Sequence, residues 1–265
     1  MKIDLEDVTF LTVIRLDSVC RLENLLASIH FLHKNFKCKI WIMEVDAYCN
    51  GIIKKLIGKK AEYHFIEDHD SILYRTKYLN LMAETVVTPF LCLWDADVIV
   101  PTRQIQEAVL KLRTKEYDVA LPYNGKALDT SMCIREVYMQ KEDPLFLCRH
   151  QSKMSFLHDG LNLKGGAFIV NANVYREAGM DNLQFYGWGS EDFERYDRLN
   201  NLGYKIYVTE GVLFHLSHPR GINSKHPNAH SLISSEYALY KTRVSSADNL
   251  KEIIKLRAEI NKLET

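Results

Sequence analysis

The chain reads as an α/β protein with a central, mostly parallel sheet flanked by helices. Three features lead there: short runs rich in β-branched and apolar residues recur along its first half, stretches of helical spacing separate them, and a pair of acids directly follows one run. A strand covered on both faces loses the alternation of a half-exposed one, and parallel neighbours need crossover helices between them.

Residues 8–14, VTFLTVI, give the first strand. After Asp17-Ser18, a plausible cap, apolar residues recur at Leu22, Leu25, Leu26, Ile29, Leu32 and Phe36, so a crossover helix follows. Strands are predicted at 39–45 and 63–66, with a helix over 52–57 between them. A helix over 71–85 leads to the fourth strand, 90–94, which ends in Asp95-Ala96-Asp97. In open α/β sheets ligands bind at that carboxyl end. Pro101 opens a helix to residue 115, and a strand covers 118–122. Residues 123–163 show no sustained period and read as an insertion with some helix. Regularity returns with a strand at 165–170, a helix at 172–179, a glycine-rich loop at 187–189, a helix at 191–202 and strands at 206–208 and 213–215. In the tail, 245–263, Leu250, Ile253, Leu256, Ile260 and Leu263 recur every three or four residues among charges. That pattern makes an amphipathic helix, which docks on the domain or else meets a partner or a membrane surface.

Lys plus Arg and Asp plus Glu number 34 each, so no global field exists to hold nucleic acid. The six cysteines are scattered and form no CxxC pair; reduced thiols and a cytoplasmic location are expected. No signal pattern and no apolar stretch of the ~18 residues a membrane span needs is present, so any membrane contact is expected to be peripheral.

Three clusters carry chemistry. The carboxylates of Asp95 and Asp97, at a strand end, suit a hard divalent cation that bridges them to a diphosphate. In Gly187-Trp188-Gly189-Ser190-Glu191-Asp192, a flat aromatic ring lies beside acids at a helix start. Capping alone would explain an acid there; a sugar-stacking ring next to an exposed carboxylate is also what deprotonation of a bound hydroxyl requires. In Phe214-His215-Leu216-Ser217-His218, two imidazoles three apart after a strand can reach one ion, and imidazole beside carboxylate suits Mn²⁺ better than Mg²⁺.

The order DADV, GGAF, GWGSEDFE, FHLSH resembles the GT-A fold glycosyltransferases. It looks closest to the C-terminal half shared by β-1,4-galactosyltransferases, polypeptide N-acetylgalactosaminyltransferases and bacterial chondroitin-polymerase-like enzymes, over roughly residues 8–219. The resemblance implies a catalytic domain at 1–230, with a nucleotide-sugar-binding half at 1–122 and an acceptor-binding, catalytic half at 123–230, and a helical extension at 231–265. It implies an inverting, Mn²⁺-dependent transferase that moves a sugar from a UDP-sugar, with UDP-Gal, UDP-GalNAc or UDP-GlcNAc as candidate donors, to a saccharide acceptor, free or lipid-linked, in bacterial surface-polysaccharide or glycan synthesis. By resemblance Asp97 ligates the metal and Asp95 holds the ribose or the metal. His218, and second to it His215, replace the family's Met-x-x-His ligands. Asp192 is the base, Glu191 holds acceptor or donor hydroxyls, Gly166 lies near the donor sugar and Trp188 against the acceptor. Glu44, Asp68, Arg15 and Arg75 match positions for nucleotide or phosphate contacts. The alternatives are a retaining transferase of the same fold, a metal-dependent nucleotidyltransferase, and a non-catalytic carbohydrate-binding protein. The second is disfavoured because Arg15-Leu16-Asp17-Ser18 follows the first strand where a glycine-rich basic loop is usual.

Overall fold

The computed structural model describes residues 1–160 and 162–263. In chain order its elements are β1 (Ile3–Ile14), α1 (Val19–Asn35), β2 (Phe36–Asp46), α2 (Ile52–Ile57), β3 (Glu62–Glu67), α3 (Arg75–Thr85), β4 (Phe90–Trp94), β5 (Val98–Ile99), α4 (Thr102–Arg113), β6 (Val119–Leu121) and β7 (Ala127–Asp129). There follow α5 (Met132–Lys141), α6 (Pro144–Arg149), β8 (Ser155–Phe156), β9 (Ala167–Asn171), α7 (Ala172–Glu177), α8 (Glu191–Asn201), β10 (Ile206–Val208), β11 (Leu213–His215), α9 (Ala229–Val244) and α10 (Ala247–Leu263).

The main sheet has the order β10-β6-β9-β4-β1-β2-β3. Its pairs are parallel except those of β9, which runs antiparallel to both β4 and β6. The fold is therefore α/β with a mostly parallel sheet between helices. Alternate residues of β1 explain the two-sided core: Phe10 and Ile14 pack with α1, α2 and α4 on one face, Leu11 and Val13 with α3 and α7 on the other. The polar residues of this strand are satisfied inside. Thr12 donates to the Trp94 carbonyl at 2.8 Å, and the Trp94 indole N–H donates to Ser28 at 2.7 Å.

Most boundaries differ from the sequence reading by a few residues, β9 beginning at Ala167 rather than 165 among them, and three have a visible cause. β1 begins at Ile3 rather than residue 8, because Ile3 and Asp4 pair with Phe36 and Lys37 before a bulge restores register at Thr9. Phe36 accordingly starts β2 instead of ending α1. α3 starts at Arg75 rather than 71: the amides of Ile72 and Leu73 bond the side chains of Asp70 and Asn223, so side-chain acceptors replace a helical turn.

A second, four-stranded sheet, β5-β11-β7-β8, stands at the carboxyl end of the first. The unpatterned stretch 123–163 supplies two of its strands, β7 and β8, and between them the helices α5 and α6 that the insertion was expected to contain. Arg135 on α5, only 2% exposed, ties this insertion to α1 through Asn24 at 2.8 Å and Glu23 at 2.6 Å.

Phe10 is wholly buried mid-sheet and meets Trp94 edge to face at 5.5 Å. Phe10→Ala should lower unfolding free energy by about 3–5 kcal/mol, read as a fall in the urea midpoint at unchanged slope.

Candidate functional site

The chain passes from β1 outward through β2 to β3, then returns to place β4 on the other side of β1. A crevice opens at such a reversal, outside the carboxyl ends of the strands. A cavity of about 350 Å³ lies there, lined by Ile14 and Arg15 from the end of β1 and by Asp95, Ala96 and Asp97 from the end of β4. Gly165, Gly166, Trp188, Glu191, Asp192, His215 and His218 complete much of its wall. Its size suits a small-molecule ligand.

Asp97 and the histidines meet because β5 follows the acids after a tight turn and pairs antiparallel with β11, His215 opposite Val98. The Leu216 amide donates to the Asp97 carbonyl at 2.7 Å and locks that register. Asp97 Oδ2 then lies 3.0 Å from His218 Nε2 and 3.7 Å from His215 Nε2. Ligand atoms of the three residues fall within 4.8 Å of one another, and the group could hold a metal ion. The other ring nitrogens are occupied: His215 Nδ1 faces Asp129 Oδ1 at 2.7 Å, and His218 Nδ1 faces the Pro219 carbonyl at 2.9 Å. A carboxylate or carbonyl behind Nδ1 fixes the proton there and leaves the Nε2 lone pair to coordinate, the usual arrangement around a metal-binding imidazole. Burial alone would raise the Asp97 pKa, but His215, His218 and Arg21 hold its carboxyl well below the usual range. That density of positive charge around one carboxylate is what a cation would replace.

The first turn of α8 lines the same cavity. Arg195, 1% exposed, grips Asp181 through two hydrogen bonds of 2.6 and 2.9 Å and Asp192 Oδ1 through a third of 2.8 Å. The spacing of Asp192 and Arg195, three apart on one helix, makes the last bond possible. Gly165 supplies the room: a Cβ there would stand 1.9 Å from Asp192 Oδ2. Glu191 is buried, 3.8 Å from Arg75, and its Oε2 has no hydrogen-bond partner among the described residues. Burial, and then the neighbouring Asp192 charge, push its pKa up to about 8. At neutral pH Glu191 is mostly a neutral acid that can donate a hydrogen bond into the cavity.

The remaining sequence-predicted residues fall as follows. Arg75 pairs with Asp95, which lies outside the three-residue ligand group. Arg15 donates to the carbonyls of Val45 and Asp70 at 2.9 and 2.6 Å, while its second terminal nitrogen, buried and without a hydrogen-bond partner among the described residues, lies 3.9 Å from Asp68 Oδ2. Gly166 adopts φ +80 and its carbonyl accepts from the Asp95 amide at 2.9 Å. Trp188 is partly exposed at the rim, beside His158 and His226. Glu44 and Asp68 are not part of the cavity wall. Glu44 is wholly buried and accepts from the Tyr63 hydroxyl at 2.5 Å; Asp68 accepts from the Tyr78 hydroxyl at 2.5 Å.

Sequence reasoning missed Arg21, 3.7 Å from Asp97, and Asp129 and Arg195, which hold the two functional ends. Only Arg195 carried a local signal, its helical spacing from Asp192. No known family model matches the chain, and no curated protein does.

Two outcomes follow from this geometry. Native Glu191 retains its proton up to about pH 8, whereas unfolded glutamate releases it near pH ~4.3, so the native state binds more protons between those values and loses stability as pH rises through them. Urea unfolding at a series of pH values should show that decline, and Glu191→Gln should flatten it. In calorimetric titration with Mn²⁺, Asp97→Ala should lose binding and Asp129→Ala should weaken it by roughly 10–100-fold, since only the orientation of His215 is lost.

Proposed function

We propose that the chain is a GT-A type glycosyltransferase that moves a sugar from a UDP-sugar to a saccharide hydroxyl with inversion. One observation carries the reading: a single cavity has a carboxylate–imidazole cation site on one wall, Asp97, His215 and His218, and an anchored carboxylate with an aromatic ring on the other, Asp192 and Trp188. A reaction that expels a nucleoside diphosphate and deprotonates an incoming alcohol needs both sets around one bound donor and acceptor.

Asp97, His215 and His218 would hold Mn²⁺, whose chemistry there is Lewis-acid stabilisation of the departing diphosphate. Arg15 and Arg21 line the same wall and bring fixed positive charge to the phosphates. Glu191, protonated, donates to a sugar hydroxyl and helps orient the ring, with Trp188 offering its face to the acceptor. Asp192, its Oδ1 engaged by Arg195, takes the acceptor proton on Oδ2. The acceptor oxygen then forms its bond to the anomeric carbon as the carbon–oxygen bond to UDP breaks, and the leaving group departs with the electron pair. Attack opposite the leaving group inverts configuration. Asp192 acting as base gives inversion, whereas a carboxylate acting as nucleophile would give retention, so the anomeric configuration of the product separates the two.

A thermal-shift screen of UDP-sugars with and without Mn²⁺ identifies the donor, because a ligand bound only by the native state raises its melting temperature. With that donor, Asp192→Asn should lower kcat by roughly 10²–10⁴-fold and leave donor affinity near that of the unaltered chain. Full turnover in that variant would remove Asp192 from the reaction, and a product of retained anomeric configuration by NMR would remove the inverting mechanism.

A further inference from the structure

α9 is turned against the usual order of a surface helix. The face it packs on α8 carries Ser231, Ser235, Ala238, Leu239 and Thr242, mostly small or polar. One of these makes two specific bonds: the Thr242 hydroxyl donates to Glu194 at 2.9 Å, and its carbonyl accepts from Asn201 at 3.0 Å. The outward face carries the large apolar side chains, Ile233 at 67% exposure, Tyr237 at 59%, Tyr240 at 62% and Val244 at 61%. These recur at intervals of four, three and four residues, which is the spacing of a helix seam. A continuous stripe of this kind, on a helix whose inward contacts are small, is the mark of a surface that meets another.

The stripe is also its own complement. Reversal about the point between Ala238 and Leu239 exchanges Ile233 with Val244 and Tyr237 with Tyr240, so aliphatic ends meet aliphatic ends and rings meet rings. An interface with twofold symmetry requires such self-matching. The flanks agree. Glu236 and Arg243 are exposed and lie two turns apart on one side of the seam. In an antiparallel pair like flanks face each other, so Glu236 comes opposite the partner's Arg243, and by symmetry the reverse. Arg243 uses Nε for Asp197 at 2.7 Å and keeps its terminal nitrogens for that contact. Lys241, on the other flank, comes opposite the partner's Ser234, so no like charges are opposed. Opposed helix directions also bring each helix's dipole into a favourable sense against the other.

We propose that α9 is a homodimer interface, two copies packing this helix antiparallel about a twofold axis that passes between Ala238 and Leu239. The surface lies on the far side of α9 from α8, and the proposal stands whatever reaction the cavity performs.

Sedimentation velocity of the full chain at micromolar concentrations should show a dimer. Tyr237→Glu combined with Tyr240→Glu should give a folded monomer, with far-ultraviolet circular dichroism unchanged, because these side chains make no part of the core. Milder variants keep the test open if that pair fails to fold. Ser234→Lys should weaken the dimer about tenfold by placing two cations against each other, and Ser234→Glu should tighten it by adding a pair with the partner's Lys241. A wild-type chain that sediments as a monomer would overturn the proposal, as would one that floats as a monomer with phosphatidylglycerol vesicles. Dimerisation unaffected by both Ser234 substitutions would overturn the antiparallel packing.

Discussion

Two residues of β5 paired against β11 set the geometry on which the rest of the site depends. Asp97 leaves the end of β4 and the histidines leave the end of β11, more than a hundred residues later, yet one backbone ladder fixes both. The Leu216 amide on the Asp97 carbonyl and the Asn24 side chain on the Leu216 carbonyl, at 2.7 Å each, hold that junction from two sides. Because the constraint is main-chain pairing, it positions the acid and the imidazoles without asking their side chains for anything. Those side chains meet one another in the cavity, and Asp129 and the Pro219 carbonyl select which nitrogen of each ring is turned to Asp97.

The opposite wall is arranged by buried charge instead. Arg195 and Asp181 are both about 1% exposed, and Arg198 with Glu194 repeats the pattern one turn further along α8. A buried ion pair returns little net stability, since the loss of hydration offsets most of the attraction. What it does provide is direction: a bidentate guanidinium–carboxylate contact has one good geometry, and Arg195 passes that geometry to Asp192. Beside it, Glu191 has the opposite fate. Deep burial and a like-charged neighbour keep it protonated near neutrality. Two adjacent carboxyl groups on one helical turn thus differ in environment, Asp192 held by Arg195 and Glu191 without a hydrogen bond at Oε2 among the described residues.

How much of this was legible in the sequence follows from which signals are local. Strands β4, β10 and β11 and helix α2 lie where composition and period put them, because apolar runs and helical spacing act within a few residues. The position of Asp95-Ala96-Asp97 at a strand end was readable for the same reason. Asp129 was not, since it lies at the end of a three-residue strand inside a stretch with no period, and its role comes from the strand beside it. Glu44 shows the reverse case. A carboxylate at a strand end pointed toward the ligand side by position, but the pleat turns it toward Tyr63 and away from the cavity.

The amino-acid pattern by itself determined the α/β alternation, the crossover helices and the strand end that carries the acids, all of which arise from apolar burial and turn chemistry between near neighbours. The motif order also led to the expectation that Asp97 meets His215 and His218, which the pairing of β5 with β11 brings about, whereas tertiary structure alone decided that Arg195 orients Asp192 and that α9 turns its tyrosines outward. Each of those depends on pairing or packing between segments distant in the chain, and neither propensity nor periodicity encodes which distant segment a residue will face.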